Sequence, residues 1–332
     1  MIGQDTHDTK RKISAILQVL SDSSNPLGGR VISRRLREQG VDLNERTVRY
    51  HLKMMDERGL TRAIGQRDGR AITEPGLEEL KSALVYDKLG VVSSRIELLA
   101  YLTTFDTEGP TGNIPIDVSL FTKGQFAQAW DIMRDVFASG FCTSNMVAVA
   151  SGGERLGDVI IPQDKIGLAT VCSAAIVGCL LKTGIPIDSR FGGILQIRNR
   201  EPARFVELIE YGGCTLDPFQ IFVAGKMTNV AGAVKIGEGK ILASFHEIPL
   251  PSRPATEAVL NKYKALNICH WISMGTASEP ICDIPTRPGK VGLALPSGLN
   301  AIAAVAEKGI EVACKSLNGV IEINRLRSFW AL

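Results

Sequence analysis

Two segments in the C-terminal part of the chain repeat one another at a constant offset of 125 residues. Residues 149–185 align with residues 274–310 without a gap, and 8 of the 37 positions are identical. Two βα units can share such a pattern because few packing arrangements are available, but an ungapped register over two strands, a loop and a helix favours duplication. The period is too long for a solenoid array. The repeat therefore predicts two lobes related by a pseudo-twofold axis.

The residues in and around the repeat alternate between predicted strands and predicted helices. Short runs of β-branched and small apolar residues predict strands at 146–150, 166–171, 194–197, 221–224, 241–245, 291–295 and 320–323. Helical patterns lie near 124–138, 173–183, 254–265 and 298–308. This alternation predicts a duplicated α/β or α+β domain over residues 93–332. The cleft between its lobes is the natural place for a small ligand.

The N-terminal part has the element order of a winged helix-turn-helix over residues 1–75. A first helix begins near Lys10, a second spans 31–39, and a short turn leads to a third helix over 44–59. Asn44 is a suitable N-cap, and Gly59 can adopt the left-handed conformation that ends a helix. Two short strands about an Asp-Gly turn then predict a wing.

The third helix has an apolar stripe and a basic face. Val48, Leu52 and Met55 recur at helical spacing and predict the side that docks onto the core. Residues 28–73 contain 11 basic and 6 acidic residues, a modest excess suited to phosphates. Two alternatives to DNA binding are open. The third helix can be a solvated helix whose basic residues serve only solubility, and the wing can serve only for protein contact. The residues predicted to contact DNA are Arg46, Thr47, Arg49, Tyr50 and Lys53 on the helix, with Arg62, Arg67 and Arg70 on the wing.

Residues 76–92 predict a connecting helix and linker. Leu77, Leu80 and Leu84 recur among acidic residues, so the helix can extend the first core or pack against a second subunit. Gly90 marks the boundary with the duplicated domain.

The combination resembles the nitrogen regulatory repressor family of methanogenic archaea. The motifs that carry the resemblance are TVRYHLKMMDERGLT, GLATVCSAAIVGCLLKTGIPIDSRFGGILQI and EYGGCTLDPFQIFVAGKMTNV. The resemblance implies a homo-oligomer, a dimer or higher, that represses nitrogen-assimilation genes and is released from double-stranded operator DNA by 2-oxoglutarate. The ligand is an effector and not a cofactor. A paralogous regulator is a further partner that the resemblance implies.

The joints of the repeat predict where the effector binds. Helix N-termini attract carboxylates, and a strand gives way to a helix at Cys172-Ser173 and again at Ser297-Gly298. Arg190 aligns with Lys315, so each lobe offers a cation to one end of a dicarboxylate. The alternative is that both cations are exposed charges after a turn.

Two groups of residues could instead indicate an enzyme or a metal site. Cys172 is placed like a nucleophile before a helix, but none of the four histidines is positioned in the sequence to activate it. The spacing of Cys269, His270, Cys282 and His246 fits no zinc pattern. We therefore predict no catalytic residues, no metal site and no enzymatic activity.

The cysteine pattern and the length of the apolar runs predict the cellular compartment. Seven cysteines without a CxxC pair indicate reduced thiols and no disulfide framework. The polar N-terminal sequence and the absence of an apolar run of about 20 residues predict a cytoplasmic protein that is not membrane-bound.

The sequence also allows a second function for the C-terminal domain. The C-terminal domain of a winged-helix regulator can serve only for oligomerisation or partner binding. A melting temperature that rises with ligand concentration separates an effector-binding domain from that alternative.

Overall fold

The computed structural model describes residues 7–23, 25–38, 40–65, 69–82, 89–106, 111–277 and 279–332. The chain forms two compact units, Met1–Lys88 and Leu89–Leu332. The division lies inside the predicted connecting segment 76–92 and two residues before Gly90.

The first unit is a winged helix-turn-helix. Its elements are α1 (His7–Ser21), α2 (Gly29–Glu38), α3 (Glu45–Glu57), β1 (Thr61–Ala63), β2 (Arg70–Ile72) and α4 (Glu74–Ser82). β1 and β2 pair antiparallel, as expected for a wing. Leu80 of α4 packs against the core formed by the three preceding helices. α4 therefore extends this core, which is the first of the two predicted alternatives; packing against a second subunit stays a prediction, and Leu84 lies outside the described residues.

The ends of α3 are those that the sequence predicts. The Asn44 side chain accepts a hydrogen bond from the Thr47 amide at 2.9 Å, and Gly59 has φ +72°. Val48, Leu52 and Met55 are fully buried. The prediction of a capped helix with one buried stripe is confirmed.

The second unit contains the duplicated region. In chain order its elements are α5 (Val91–Leu102), β3 (Asn113–Thr122), α6 (Lys123–Ser139), β4 (Met146–Ser151), β5 (Arg155–Leu156), β6 (Val159–Ile160), β7 (Lys165–Val171), α7 (Ala174–Lys182), β8 (Asp188–Arg198), β9 (Glu201–Glu210), α8 (Pro218–Ala224), α9 (Val230–Ile236), β10 (Gly239–Pro249), α10 (Arg253–Ala265), β11 (Ser273–Met274), β12 (Lys290–Pro296), α11 (Asn300–Glu307), β13 (Ala313–Lys315), β14 (Val320–Glu322) and β15 (Arg327–Ser328). One sheet has the order β13-β3-β7-β4-β15, with β14 also paired to β3, and the other has the order β11-β12-β10-β8-β9.

The duplication extends further than the aligned sequence segments. The series β3, α6, β4, β7, α7 recurs as β10, α10, β11, β12, α11. β7 and β12 are offset by 125 residues at both ends, and the pair Ala148↔Ala169 between β4 and β7 corresponds to Ser273↔Ala294 between β11 and β12. All described pairings in both sheets are antiparallel, so the domain is α+β.

The two lobes exchange their last strands. β8 follows the first repeat but pairs with β10 of the second, whereas β13 and β14 follow the second repeat and pair with β3 of the first. The hydrophobic cores are shared in the same way, because α7 packs with α10 in one core and α6 packs with α11 in the other. Separating the lobes would expose both cores, so they form one interlocked domain.

The predicted strand at 221–224 is wrong. These residues end α8, which begins at Pro218 after the N-cap Asp217, whose carboxylate accepts the Phe219 amide at 2.9 Å. Phe219, Phe222 and Val223 are buried at helical spacing. An N-cap aspartate followed by proline is a helix-start signal, and it outweighs the local β propensity of the run.

Candidate DNA interface and effector region

The basic face of α3 does not pack against the hydrophobic core of the first unit. Arg46, Arg49, Tyr50 and Lys53 are exposed, with Tyr50 at 62%. They occupy the helix positions between the buried stripe residues, so packing orients them away from the core. The structure therefore brings together on one surface the four long side chains predicted to meet DNA.

Two residues of this face already have partners within the protein. Arg49 forms an ion pair with Glu45 one turn earlier, and its Cγ lies 3.0 Å from where a Cβ at Gly29 would be. Gly29 is the first residue of α2, so its lack of a side chain leaves room for Arg49. Thr47 donates its hydroxyl to Asn44 Oδ1 at 3.0 Å, which gives it a capping role besides the predicted DNA contact.

The wing is fastened to α3 by Asp56. Its two carboxylate oxygens accept Nε of Arg70 at 2.7 Å and the hydroxyl of Thr61 at 2.6 Å. Arg70 is thus engaged in positioning the wing, a role that the sequence did not reveal. Arg62 is exposed on β1 and remains available, whereas Arg67 lies outside the described residues.

The two predicted effector joints pack against each other. A Cβ at Gly298 would lie 2.2 Å from the carbonyl oxygen of Val171, so the joint before α11 packs directly on the end of β7. Ser297 is buried and its hydroxyl accepts the Leu299 amide at 3.1 Å. Close packing therefore occupies Gly298 and a local hydrogen bond occupies Ser297, and the role of both in effector binding stays a prediction.

The other joint faces acidic groups. Cys172 and Ser173 line an enclosed cavity no larger than one water molecule, together with Tyr211, Asp217 and His246. Burial raises the pKa of Asp217. The cavity is too small to hold a dicarboxylate, so the predicted anion-binding role of Cys172 and Ser173 would require this joint to open.

A second buried carboxyl, Asp117, lies beside the same cavity. Burial raises the pKa of Asp117 to about 7, even though the Leu317 amide donates to it at 2.8 Å. The nearby Asp217 carboxylate raises it further, and the Cys172 thiol lowers it. Asp117 therefore changes its charge near neutral pH inside the domain.

Replacing Asp117 by asparagine should alter the pH dependence of stability. The unfolded carboxyl ionises near its usual pKa of 3.8 and the folded one near 7, so the wild-type free energy of unfolding loses up to about 1.4 kcal/mol per pH unit between these values. An asparagine does not titrate, and its amide oxygen can still accept the Leu317 amide. Urea titrations from about pH 4.5 to about pH 7.5 should show the stability of the D117N variant rising relative to wild type with pH. If the free energies of unfolding of the two proteins instead change in parallel with pH, the carboxyl of Asp117 ionises near its usual pKa in the folded protein.

Arg190 lies in an open pocket of about 270 Å³ on the second sheet. Its Nη1 donates to Glu247 at 3.1 Å, and it forms a longer ion pair of 3.9 Å with Glu210. Arg287 lines the same pocket and also bonds Glu247. Sequence comparison of the repeats missed Arg287, because its counterpart at the offset of 125 is Pro162.

The charges of this pocket are balanced internally. Glu247 is 1% exposed; burial favours a raised pKa, but hydrogen bonds and charge from Arg287, with help from Arg190, hold its pKa below the usual value. Asp188 also pairs with Arg287. An incoming anion would therefore have to compete with carboxylates of the protein for the two guanidinium groups.

Lys315 lies on an exchanged strand of the first sheet, as Arg190 does in the second. Lys315 on β13 is paired with Val118 of β3, whose counterpart at the offset of 125, Ala243, pairs with Gly193. The two cations aligned in sequence therefore do not occupy equivalent register positions. Lys315 is exposed at this position.

The environment of Cys172 counts against nucleophilic chemistry. Burial and the neighbouring Asp117 raise the pKa of its thiol, whereas a nucleophile needs a lowered one. Burial also lowers the pKa of His246 to about 4, which keeps its imidazole neutral. Within the described ranges no three histidine, cysteine or acidic side chains are grouped to hold a metal ion.

The lengths and compositions of the helices bear on membrane insertion. In the part of the chain that the structure describes, none of the helices has both the length and the apolar character needed to cross a bilayer.

Comparison with protein families divides the chain as the fold does. Residues 89–328 match the model described as NrpR regulatory domains NRD1 and 2. Residues 14–80 match the Ribonuclease R winged-helix domain. The first match covers the interlocked domain and the second covers the helix-turn-helix with its wing.

Similar curated proteins are named global nitrogen regulators. NrpRI of Methanosarcina mazei is 37% identical over 318 residues, which are 96% of this chain and 98% of that protein. NrpR of Methanococcus maripaludis is 30% identical over 89% of this chain and 51% of its own length. NrpR of Methanocaldococcus jannaschii is 31% identical over 96% of this chain and 55% of its own length. The chain thus spans about half the length of the last two.

A solved structure shares the fold. The crystal structure of a nitrogen repressor-like protein from Methanococcus jannaschii matches with a TM-score of 0.60 and 23% identity. The match covers 71% of this chain and 97% of that one.

Proposed function

Because the chain belongs to the family whose members carry NrpR regulatory domains, we propose that it is a transcriptional repressor of nitrogen-assimilation genes. It acts in the cytoplasm as a homo-oligomer on double-stranded operator DNA, and it catalyses no reaction. A paralogous regulator is a candidate additional partner.

The observation that supports DNA binding most strongly is the exposed basic face of α3. A recognition helix enters the major groove with its N-terminal half against the base edges. Arg46 and Arg49 lie in that half and suit bidentate bonds to guanine, whereas Tyr50 and Lys53 suit the sugar-phosphate backbone. Arg62 adds a cation on the wing.

Selection from random double-stranded DNA tests this function directly. The full chain should recover an inverted repeat whose half-sites are one or two helical turns apart, because a dimer presents two recognition helices. Promoters of nitrogen-assimilation genes should contain that repeat. Recovery of single-stranded or sequence-independent ligands alone would contradict the proposal.

Lys53→Ala should weaken binding to all DNA sequences alike. The lysine is placed to neutralise one phosphate, so its loss should lower the slope of log affinity against log salt by about 1 and leave the preferred sequence unchanged. Fluorescence anisotropy with the selected repeat and a scrambled duplex, at several salt concentrations, measures both quantities. A change confined to the selected repeat would instead make Lys53 a reader of bases.

We further propose that 2-oxoglutarate is the effector and that it binds at the pocket of Arg190 and Arg287. Two guanidinium groups in a pocket of about 270 Å³ suit the carboxylates of a small dicarboxylate. The ligand would draw these groups away from Glu247 and Glu210. Since Arg190, Glu210 and Glu247 lie on β8, β9 and β10, the exchange would alter contacts across the second sheet.

The alternative function is a domain that only oligomerises or binds a partner protein. The internally balanced charges around Glu247 would then be structural. A thermal melt of the full chain distinguishes the two, because a bound effector raises Tm with its concentration. No shift at millimolar 2-oxoglutarate would favour the alternative.

A further inference from the structure

Helix α5 is apolar on two faces. Val92, Ile96, Leu99 and Ala100 are buried against the domain, where α5 packs on α7. The remaining apolar side chains point outward and form what we call the outer face of α5. These residues and their exposed fractions are Leu89 46%, Val91 48%, Leu98 45%, Tyr101 83% and Leu102 38%.

The outer face of α5 has little polar character. The helix contains two charged residues: Glu97 is exposed, and Arg95 is used within the domain. Its Nε donates to the Leu317 carbonyl at 2.9 Å and its Nη2 to Asp158 at 2.6 Å. A clustered exposed apolar patch marks an interface.

We propose that the outer face of α5 is the dimer interface of this protein, covered by α5 of a second copy. The positions Val91, Ser94, Leu98 and Tyr101 are spaced by three, four and three residues, which is the pattern of a two-helix seam. Ser94 is small and lets the helices approach closely near the middle of that seam. A twofold-related pair would bring identical apolar patches together, as an isologous interface requires.

The position of α5 in the chain supports a second copy as the occupant. This step rests on the proposed function, which needs two recognition helices on one operator. The seven Cα-to-Cα steps from Ser82 to Leu89 span at most about 25 Å. Pairing of two copies through α5 would therefore hold two winged helices on one dimer, each tethered to its own α5 by this connection.

The same helix borders the pocket of Arg190 and Arg287. Ser93 of α5 lines that pocket together with Gly212. Gly90, which precedes the helix, lies near the Gly212 carbonyl, 3.6 Å from the position of an added Cβ. Ligand exchange in the pocket would thus act on the first turn of the proposed dimer helix.

Sedimentation velocity of the full chain tests the interface without DNA. Wild type should be dimeric, and the variant Leu98→Asp with Tyr101→Asp should dissociate with a Kd at least about 100-fold weaker. The single variant Tyr101→Asp, at the most exposed position, should weaken dimerisation by at least about 10-fold. Ile236→Asp is the matched control, because Ile236 is 72% exposed on α9. It should leave the dimer unchanged, and circular dichroism should show equal folding of all four proteins.

A monomeric wild type would overturn the proposal, and so would a double variant that dimerises like wild type. Binding to a duplex with a single half-site separates this result from the proposed function. If the double variant is monomeric and still binds the half-site as wild type does, both inferences stand. If neither protein binds DNA but the double variant dissociates, the interface stands and DNA binding fails.

Discussion

Replacing Arg46 and Arg49 together by alanine should reduce affinity for the operator by about 30-fold or more. Each arginine that reads a base is worth about 1–3 kcal/mol, and the two act on different bases, so their losses should add. Arg49 must give up its ion pair with Glu45 to reach DNA, so we expect its contribution at the lower end of that range. Gel-shift titration with the selected inverted repeat measures the loss.

The variant should keep its fold, because both side chains are exposed and neither belongs to the buried stripe of α3. Arg134→Ala is the matched control, since Arg134 is an exposed arginine on α6 of the other unit. It should bind like wild type. Unchanged affinity of the Arg46 and Arg49 double variant would remove this helix from the interface, and a weakened control would indicate a general charge effect.

The second large effect concerns the effector. Millimolar 2-oxoglutarate should lower operator affinity of the wild type at least tenfold, which requires about 1.4 kcal/mol of coupling. Arg190→Ala should abolish this response, because it removes one of the two guanidinium groups of the pocket. Arg287 remains paired with Glu247 in that variant, so the buried carboxylate keeps a cation and effector-free DNA binding should persist.

Lys315→Ala is the informative companion variant. The sequence predicts a symmetric pair of cations, Arg190 and Lys315, whereas the structure places Arg287 beside Arg190. If the response survives in Lys315→Ala and is lost in Arg287→Ala, the pocket on the second sheet is the effector site. The opposite pattern would restore the symmetric arrangement. A normal response in Arg190→Ala would remove this pocket from the effector site altogether.

The sequence predicted those features that depend on local signals. Asn44 and Gly59 fix the ends of α3 through their own backbone and side-chain chemistry, and the apolar stripe fixes its buried side. The duplication was visible because both repeats keep one register from β4 to α7. Each of these signals lies within a few neighbouring residues or in the alignment of the two repeats. They can therefore be recognised without knowledge of the tertiary structure.

Other features depend on contacts between distant segments. The exchange of β8 and β13 between lobes follows no local pattern, and the two lobes also share their hydrophobic cores. The ion pair of Arg70 with Asp56 and the approach of Asp117 to Cys172 likewise join residues far apart in sequence. The prediction of an anion site at Cys172-Ser173 rests on a helix N-terminus alone, whereas the structure places two buried carboxyls, Asp117 and Asp217, beside this joint.

We propose that the duplicated domain transmits effector binding to DNA binding. Coupling between two ligands is reciprocal, so operator DNA must weaken 2-oxoglutarate binding by the same factor by which 2-oxoglutarate weakens operator binding. Isothermal titration of 2-oxoglutarate into the full chain, with and without a saturating selected repeat, measures this factor directly. We predict a Kd that is at least tenfold weaker in the presence of the DNA. An identical Kd in both titrations, or no heat of binding in either, would contradict the claim.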